Sequence, residues 1–386
     1  MNEGSEERGV SRRNALRVGA GLGVTSLAGC LGLFGDDQNV EIPALSEFRG
    51  SGSLVEGRPA PGGTSIEDLP DLSGDLALYI GGGEGGIYYE FVEMLQNIYS
   101  DFEVHTTDNA SSSLAETIVE EVDAGASRAD VFWSIDASSL GFVAANDAYE
   151  PLSDEVVDMV ANGQFVGDDK AWAGVAGRAR AVPYNTDELS ESDIPNTVQD
   201  FPSTDALQGT VGWAPTYGAF KSFVTAMRLI NGEDATREWL VAMREAGTER
   251  HGNEYAVSQS VAEGSLAAGF ANHYYAMRVK NQQPDAPIDL AFTEGDAGAL
   301  INVAGALKIQ GTQRGDLVDD FVRHLLSAEA QEYFATVSFA YPMIGGVEPV
   351  GGLPSIDELS PPDIDLAELA DIEPTLDLMD EAGVSG

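Results

Sequence analysis

The chain has 386 residues, of which 64 are Asp or Glu and 20 are Lys or Arg, so its formal charge is -44 at pH 7. A field this negative repels phosphate backbones and anionic lipids, which argues against nucleic-acid binding and against a polybasic membrane contact. Hydrophobic residues make up 43% of the chain, enough for a substantial core, so the charge does not indicate disorder. An acid-rich, Lys-poor surface is typical of a halophile's protein, because molar salt screens its charges within about 3 Å. The alternative is an ordinary acidic protein.

The first 29 residues have the features of an export signal. Arg12-Arg13 precede a Gly-rich apolar run of about ten residues, too short to span a ~30 Å hydrocarbon core. This order is typical of a twin-arginine signal, which exports folded proteins. Leu27-Ala28-Gly29-Cys30 resembles a lipobox, and Cys30 is the only cysteine of the chain. We therefore expect residues 1–29 to be removed and Cys30 to carry two or more acyl chains at the outer face of the cell membrane.

Residues 30–74 are rich in Gly, Pro, Ser, Asp and Glu and show no sustained apolar period. This composition predicts a flexible acidic tether between the lipid anchor and the folded body. The body of ~312 residues that follows is long enough for about two domains.

Beyond residue 74, apolar runs that alternate as strands take turns with runs at helical spacing. The predicted strands are residues 76–80, 102–106 and 129–133. The predicted helices are residues 87–99, 113–124, 220–230, 235–246, 257–268 and 317–334. This alternation predicts an α/β fold with sheets covered on both faces. Two extended segments, 178–185 and 304–309, are candidates for crossings between two lobes with a central ligand cleft.

A glycine-rich segment, Gly81-Gly82-Gly83-Glu84-Gly85-Gly86, follows the first predicted strand and opens a helix. It contains the G-x-G-x-x-G pattern of dinucleotide-binding folds. Five glycines in six positions meet that pattern by chance, and an exported protein finds no nicotinamide pool, so we do not predict dinucleotide binding. We therefore predict only that backbone N–H groups are free at the start of this helix, with Glu84 projecting from them.

Adjacent tyrosines occur in Asn272-His273-Tyr274-Tyr275, just after a predicted helix. Phenolate oxygen is a hard anionic ligand, and only a cation of ferric strength would ionise two neighbouring phenols, whose ordinary pKa is near 10. The alternative is a pair with one ring in the core and the other on the surface, which residue chemistry alone favours. The four histidines form no i,i+4 pair and no thiolate cluster supports zinc, while no G-x-S-x-G elbow is present.

Several segments, taken in order, make the chain similar to substrate-binding proteins of iron(III) ABC transporters over about residues 75–345. Each segment is weak alone, but the ordered set is specific. The segments are ADVFW (129–133), WAGVAGRAR (172–180), WAPTYGAF (213–220), NHYY (272–275), DAGAL (296–300), GA (305–306), EAQ (329–331) and YP (341–342).

The resemblance implies a type II periplasmic-binding-protein fold in which two lobes close over the ligand. On this reading, lobe 1 comprises residues 75–180 and 305–355, and lobe 2 comprises residues 181–304 and 356–386. The family's Asn-x-Tyr-Tyr implies that Tyr274 and Tyr275 ligate iron. Tyr184, which follows the Arg-x-Arg segment, matches an additional tyrosine of the all-tyrosine branch.

The chain departs from the family at the first-lobe ligands. Gly83 stands where the family has a histidine, and Glu84 is the nearest substitute. Ile135 stands where the family has a loop glutamate, which leaves the neighbouring Asp136 as the candidate. These departures concern the first-lobe half of the metal site.

A second group of positions matches residues that hold a synergistic anion such as carbonate or phosphate in some members of the family. Backbone N–H donors at a helix start suit such an anion. The positions are Asn272, Tyr217, Gly218 and Ala219.

The resemblance therefore implies a non-catalytic, monomeric solute-binding protein that captures Fe(III) and delivers it to ABC permease and ATPase subunits. Protonation would weaken the ligands, since metal binding competes with protons. One alternative keeps the fold but binds an organic or oxyanion solute such as thiamine, a polyamine or a phosphonate, with the tyrosines as walls. For a polyamine, Glu84 and Asp136 would supply carboxylates. A third possibility is a secreted enzyme.

Overall fold

The structure, a computed structural model, describes residues 40–385, and at positions 83 and 84 it describes the backbone only. The predicted signal over residues 1–29 and the predicted lipidation site Cys30 lie outside the described residues. No helix within residues 40–385 combines the length and the apolarity that a bilayer crossing requires.

Helices and strands alternate along the described chain, as predicted for an α/β fold. The helices are α1 (Leu45–Phe48), α2 (Ile87–Ile98), α3 (Ser111–Asp123), α4 (Ala137–Ala145), α5 (Asp154–Val157), α6 (Gly218–Asn231), α7 (Glu233–Glu245), α8 (Glu254–Ala262), α9 (His273–Gln282), α10 (Gly315–Leu325), α11 (Ala328–Tyr333) and α12 (Glu373–Glu381). The strands are β1 (Gly74–Gly81), β2 (Phe102–Asn109), β3 (Val131–Ser134), β4 (Tyr149–Glu150), β5 (Trp172–Asn185), β6 (Val211–Trp213), β7 (Glu249–Arg250), β8 (Ala268–Gly269), β9 (Ala271–Asn272), β10 (Ile288–Ala291) and β11 (Ile301–Ile309).

The strand β5 belongs to both halves of the sheet. In the first half the strand order is β2-β1-β3-β11-β5, with β1 parallel to β2 and β3. In the second half β5 continues into β8-β6-β7, and β9 and β10 also pair with it. The partner of β5 changes between Ala179, which faces Ile301, and Arg180, which faces Asn272. This change lies within the segment 178–185 that the sequence marks as a crossing between lobes.

Each half of the sheet has an aromatic core on its helical side. In the first lobe Tyr88 of α2 stacks on Trp133 of β3, with ring centroids 4.1 Å apart. In the second lobe Phe223 and Trp239 pack on Phe270 at 5.6 and 5.7 Å. Burying a side chain of this size stabilises the fold by roughly 1.5–3 kcal/mol. Two such cores provide the two lobes on which a cleft can be built.

Two predicted helices have different bounds in the structure. The predicted helix 317–334 is divided into α10 and α11 because Ser327 caps a new helix, its hydroxyl accepting from the Ala330 N–H at 3.2 Å. The predicted helix 257–268 ends at Ala262, since Gly264 adopts a positive φ of 75° that terminates the turn.

The segment over residues 30–74 is predicted to be a flexible tether, but beyond residue 45 it is packed on the folded body. Phe48 and Ile66 are buried in the core of the first lobe. The Arg49 Nε and Arg58 Nη2 donate to the carboxylate of Glu332 in α11 at 2.7 and 2.9 Å. These long-range ion pairs, which composition cannot reveal, fix the segment on the body.

Residues 356–386, expected in the second lobe, divide between the two lobes. The helical turn Leu366–Ala370 packs on α4 of the first lobe, where Ala367 lies directly over Gly141. The helix α12 packs on α6 and α7 of the second lobe. There the Arg228 Nη2 donates to the Asp371 carboxylate at 2.7 Å. The segment between the turn and α12 therefore connects the lobes beside the cleft.

Candidate functional site

A cavity of about 830 Å³ lies between the lobes, within the size range of small-molecule sites. The arginines of β5, Arg178 and Arg180, line it. So do Ser111 and Ser112 at the start of α3. Of the predicted site residues, Asp136, Asn272, Gly218 and Ala219 line this cavity.

Three helices begin at this cavity because each follows a strand that ends there. The helix α3 follows β2, α4 follows β3, and α6 follows β6. Ligands of open α/β sheets bind beyond the carboxyl ends of the strands, where backbone N–H groups are free. The topology thus concentrates helix N-termini from both lobes at one place.

Three tyrosines form a cluster at the edge of the second lobe. Tyr274 and Tyr275 are about nine-tenths buried, and their ring centroids lie 4.3 Å apart. The hydroxyl of Tyr275 hydrogen-bonds the hydroxyl of Tyr217, whose ring lies edge-on at 6.1 Å. The Asn272 amide donates to the Tyr274 hydroxyl at 3.4 Å. Three phenol oxygens and one amide are therefore brought together beside the cavity.

The surroundings of Tyr275 keep its phenol protonated. Burial raises the pKa of Tyr275, and the neighbouring hydroxyls of Tyr274 and Tyr217 add to the rise. The guanidinium of Arg278 lies over the rings of Tyr274 and Tyr275, 5.1 and 5.6 Å from their centroids. A cation that binds these oxygens must displace their protons.

A buried ion pair holds Asn272 at the start of α9. Arg180 donates through Nη1 to Glu254 and to the Asn272 Oδ1, the latter at 3.2 Å. The other carboxylate oxygen of Glu254 accepts from the Asn272 N–H at 2.8 Å. Both charged side chains are almost fully buried, so each depends on the other for compensation.

His273 fixes the same helix start from its other side. Its Nε2 lies 2.7 Å from the Phe339 carbonyl oxygen, and its ring lies 4.5 Å from that of Tyr341. Burial lowers the pKa of His273 to about 4, so the imidazole is neutral at pH 7. This residue positions the two tyrosines that follow it.

Asp136, a predicted first-lobe ligand, has its carboxylate engaged in capping α4. Its Oδ1 accepts from the Ser139 N–H at 2.8 Å and from the Ser138 hydroxyl at 2.6 Å. Asn302 supports the same helix start by accepting from the Ala137 N–H at 3.1 Å. Asp136 thus lines the cavity, but its carboxylate serves as a helix cap.

Among the described contacts, no hydrogen bond or ring contact joins Tyr184 to the tyrosine cluster. Tyr184 pairs across the sheet with Ala268 and Asp289. Burial and the Asp289 carboxylate raise the pKa of Tyr184. Glu84 lies in the turn Gly83–Gly86 at the end of β1, and its side chain is outside the described part of the structure.

Sequence reasoning missed the roles of two sets of residues. Arg178 and Arg180 alternate along β5, so both project from one face of the strand, and this alternation was the available signal. Nothing in the sequence places the Tyr217 hydroxyl on that of Tyr275.

A further group, Asp75, Glu103 and His105, could hold a metal ion, but it is exposed at the opposite end of β1 from the cavity.

Comparisons with known proteins agree with this architecture. Residues 126–363 match the family described as bacterial extracellular solute-binding protein. The major ferric iron-binding protein of Neisseria meningitidis is 32% identical over 275 residues, which cover 70% of this chain and 82% of that protein. The Fe(3+)-binding periplasmic protein of Serratia marcescens is 26% identical over 72% of this chain and 81% of its own length.

A solved structure shows the same fold. Iron-bound HitA from Pseudomonas aeruginosa superposes with a TM-score of 0.66 at 26% identity, covering 80% of this chain and 99% of that one. The predicted two-lobed α/β fold of the type II periplasmic-binding-protein class is therefore confirmed.

Proposed function

The chain belongs to the family of bacterial extracellular solute-binding proteins, and we propose that it captures Fe(III) between its lobes and delivers it to an ABC permease with its ATPase. The observation that carries this proposal is the buried tyrosine cluster beside the interlobe cavity. Its relatives bear the names of ferric iron-binding proteins, in agreement with a binding protein rather than an enzyme.

Tyr274, Tyr275 and Tyr217 are the proposed protein ligands of the iron. A small trivalent cation favours hard, anionic oxygen donors and displaces their protons. The three phenolates would balance the charge of Fe(III) in a site that is otherwise costly to desolvate. We propose Tyr217 instead of Tyr184 as the third phenolate, and the contact of the Tyr217 hydroxyl with that of Tyr275 supports this choice.

A synergistic anion such as carbonate or phosphate completes the proposed site. Asn272, Gly218 and Ala219 line the cavity where α6 begins, and no side chain caps this helix. Its free N–H groups and the positive end of the helix dipole favour an anion. On the first lobe, Glu84 stays the candidate metal ligand, since the carboxylate of Asp136 caps α4.

The sequence features outside the described residues complete the proposal. A twin-arginine signal would export the folded protein, and lipidated Cys30 would hold it as a monomer on the outer face of the membrane. The charge of -44 suits a medium of molar salt.

The test is a titration of metal-stripped protein with Fe(III)-citrate in molar KCl, followed by its visible spectrum. We expect a saturable band from tyrosinate-to-iron charge transfer. In the double variant Tyr274→Phe/Tyr275→Phe the band should lose most of its intensity, with only the contribution of Tyr217 left, and the apparent affinity should fall by about a hundredfold. Tyr184→Phe is the matched control and should titrate like the wild type. A folded wild-type protein without the band would overturn the iron site in favour of an organic or oxyanion solute.

A further inference from the structure

The C-terminal part of the chain is attached to both lobes beside the interlobe cavity. The turn Leu366–Ala370 packs on α4 of the first lobe and also contacts α6 of the second. The helix α12 packs on α6 and α7 of the second lobe. Residues 369–373, which include the link between the turn and α12, line the cavity. The segment therefore spans the space between the lobes at one flank of the cavity.

The second-lobe end of this segment is held by hydrogen bonds. The Arg228 Nη2 donates to the Asp371 carbonyl oxygen at 2.7 Å, and the hydroxyls of Thr225 and Thr375, both fully buried, lie 3.0 Å apart. The Arg244 side chain donates to a backbone carbonyl just after α12 at 2.6 Å. Detaching α12 would leave buried polar groups without partners, which is costly.

The first-lobe end is held by apolar packing. Leu366 and Leu369 are buried, and Ala367 lies directly over Gly141 of α4. A side chain at Gly141 would bring its Cβ to 2.8 Å from the Ala367 Cα, well inside the contact distance of two carbon atoms. The turn can therefore dock on α4 only because residue 141 is a glycine.

The link between the two ends is too short to follow a wide opening of the lobes. Only Asp371 and Ile372 separate the turn from α12, and an extended chain covers at most ~3.6 Å per residue. A hinge opening wider than the link can span must therefore detach one end. The first-lobe end detaches at lower cost, since the hydrogen bonds of α12 then stay formed.

We propose that Leu366–Ala370 is a latch: docked on α4 it holds the lobes closed, and it detaches from α4 when they open to release the cargo. Because a ligand leaves a closed cleft only through its open state, the latch sets the rate of release. Its effect on release rests on the proposed iron function, whereas its effect on lobe closure does not.

Two substitutions weaken the latch at residues that do not line the cavity. Gly141→Ala places a methyl group under Ala367, and Leu366→Ala removes a buried side chain of the turn. In small-angle X-ray scattering in molar KCl, both metal-stripped variants should have a larger radius of gyration than the wild type. Excess chelator should also remove iron from both about tenfold faster, as expected when part of one buried apolar side chain is lost, and the visible band measures this rate.

Gly315→Ala is the matched control. Gly315 is also a helical glycine of the first lobe, and a methyl group there meets nothing closer than 3.9 Å. Alanine favours a helix over glycine at both positions, so helix propensity alone would affect both variants alike. Gly315→Ala should match the wild type in scattering and in iron release.

The outcomes separate the latch from the function that it serves. Folded latch variants with the wild-type radius of gyration would overturn the latch, and so would wider variants whose iron leaves at the wild-type rate. If Gly141→Ala did not fold, Leu366→Ala alone would decide. A wild-type protein without the iron band would overturn the proposed function, while the scattering comparison would still test the latch.

Discussion

The first-lobe wall and the second-lobe wall of the interlobe cavity differ in which of their polar groups already form hydrogen bonds within the protein. On the first-lobe wall the Asp136 Oδ1 and the Asn302 Oδ1 accept from backbone N–H groups at the start of α4. Behind the second-lobe wall, next to the uncapped start of α6, the hydroxyls of Tyr217 and Tyr275 contact each other. Hydroxyls that contact each other can exchange that contact for a ligand. The difference favours the second lobe as the source of the phenolate ligands that we propose.

Gly83 and Ile135, where the family resemblance implies a histidine and a glutamate, also belong to the first lobe. A first lobe without the family's histidine and glutamate offers few protein ligands, but the start of α3 still offers backbone donors. Closure of the lobes would then depend on the anion that accompanies the iron. The walls can be tested separately, because substitutions on one need not disturb the other.

The largest effect on stability should come from the buried ion pair behind the second-lobe wall. Glu254→Ala leaves Arg180 charged and uncompensated in the interior, which should cost about 3–5 kcal/mol of unfolding free energy. Urea denaturation in molar KCl measures it. Glu116→Ala, an exposed carboxylate on the first-lobe wall, should change stability by less than about 0.5 kcal/mol. Equal losses in the two variants would contradict the contrast between the walls.

Acid should destabilise both lobes to a similar extent, each through one buried histidine. Burial lowers the pKa of His273 in the second lobe and of His324 in the first to about 4. Both are neutral in the folded protein, whereas the unfolded chain takes up protons below pH ~6.5. Stability should therefore fall as the pH falls from about 6.5 to 4, by about 2 kcal/mol per histidine between pH 7 and pH 5.

Urea unfolding at pH 7 and pH 5 measures this difference. His273→Gln and His324→Gln should each shrink it by about 2 kcal/mol. The exposed His105 is the control, and His105→Gln should leave the difference unchanged. A wild-type protein equally stable at both pH values would show that the two imidazoles are not held neutral.

Separate substitutions of Tyr217 and Tyr184 test which of the two provides the third phenolate. The contacts in the structure favour Tyr217, whereas the family resemblance favours Tyr184. Tyr217→Phe removes the hydroxyl that contacts Tyr275 and should weaken iron binding by about tenfold or more. Competition with a chelator, followed by the visible band, gives the affinities. If Tyr184→Phe were the weaker binder, the sequence assignment would be right.

The smallest effect should follow from Asp136 on the first-lobe wall. Asp136→Ala removes the cap of α4 and should cost about 1 kcal/mol of stability, while iron affinity stays within about twofold. Thermal unfolding and the same competition assay measure both quantities. A hundredfold loss of affinity would identify Asp136 as a ligand instead.

Sequence patterns predicted the elements that depend on local periodicity. The helix α2 and the strand β2 begin at the predicted residues, and β5 contains the predicted crossing. The division between α10 and α11 was missed because one serine cap outweighs a continuous apolar pattern. The packed segment beyond residue 45 was missed because Glu332, which holds it, is hundreds of residues away in the sequence.

The candidate site was predictable only where residue identity decides the chemistry. Tyr274 and Tyr275 could be named from their adjacency and the family pattern, and the structure brings them together with Asn272. Whether Tyr184 or Tyr217 joins them depends on tertiary contacts that no spacing encodes. The engagement of Asp136 depends likewise on the geometry of one helix start.

The most direct test of the contrast between the walls is a crystal structure of the iron-loaded protein with anomalous diffraction at the iron edge. We expect one iron peak bonded to the phenol oxygens of Tyr274, Tyr275 and Tyr217 of the second lobe, with Glu84 as the candidate ligand from the first. An iron peak bonded to Asp136, or one away from the tyrosine cluster, would contradict the assignment of the metal to the second lobe.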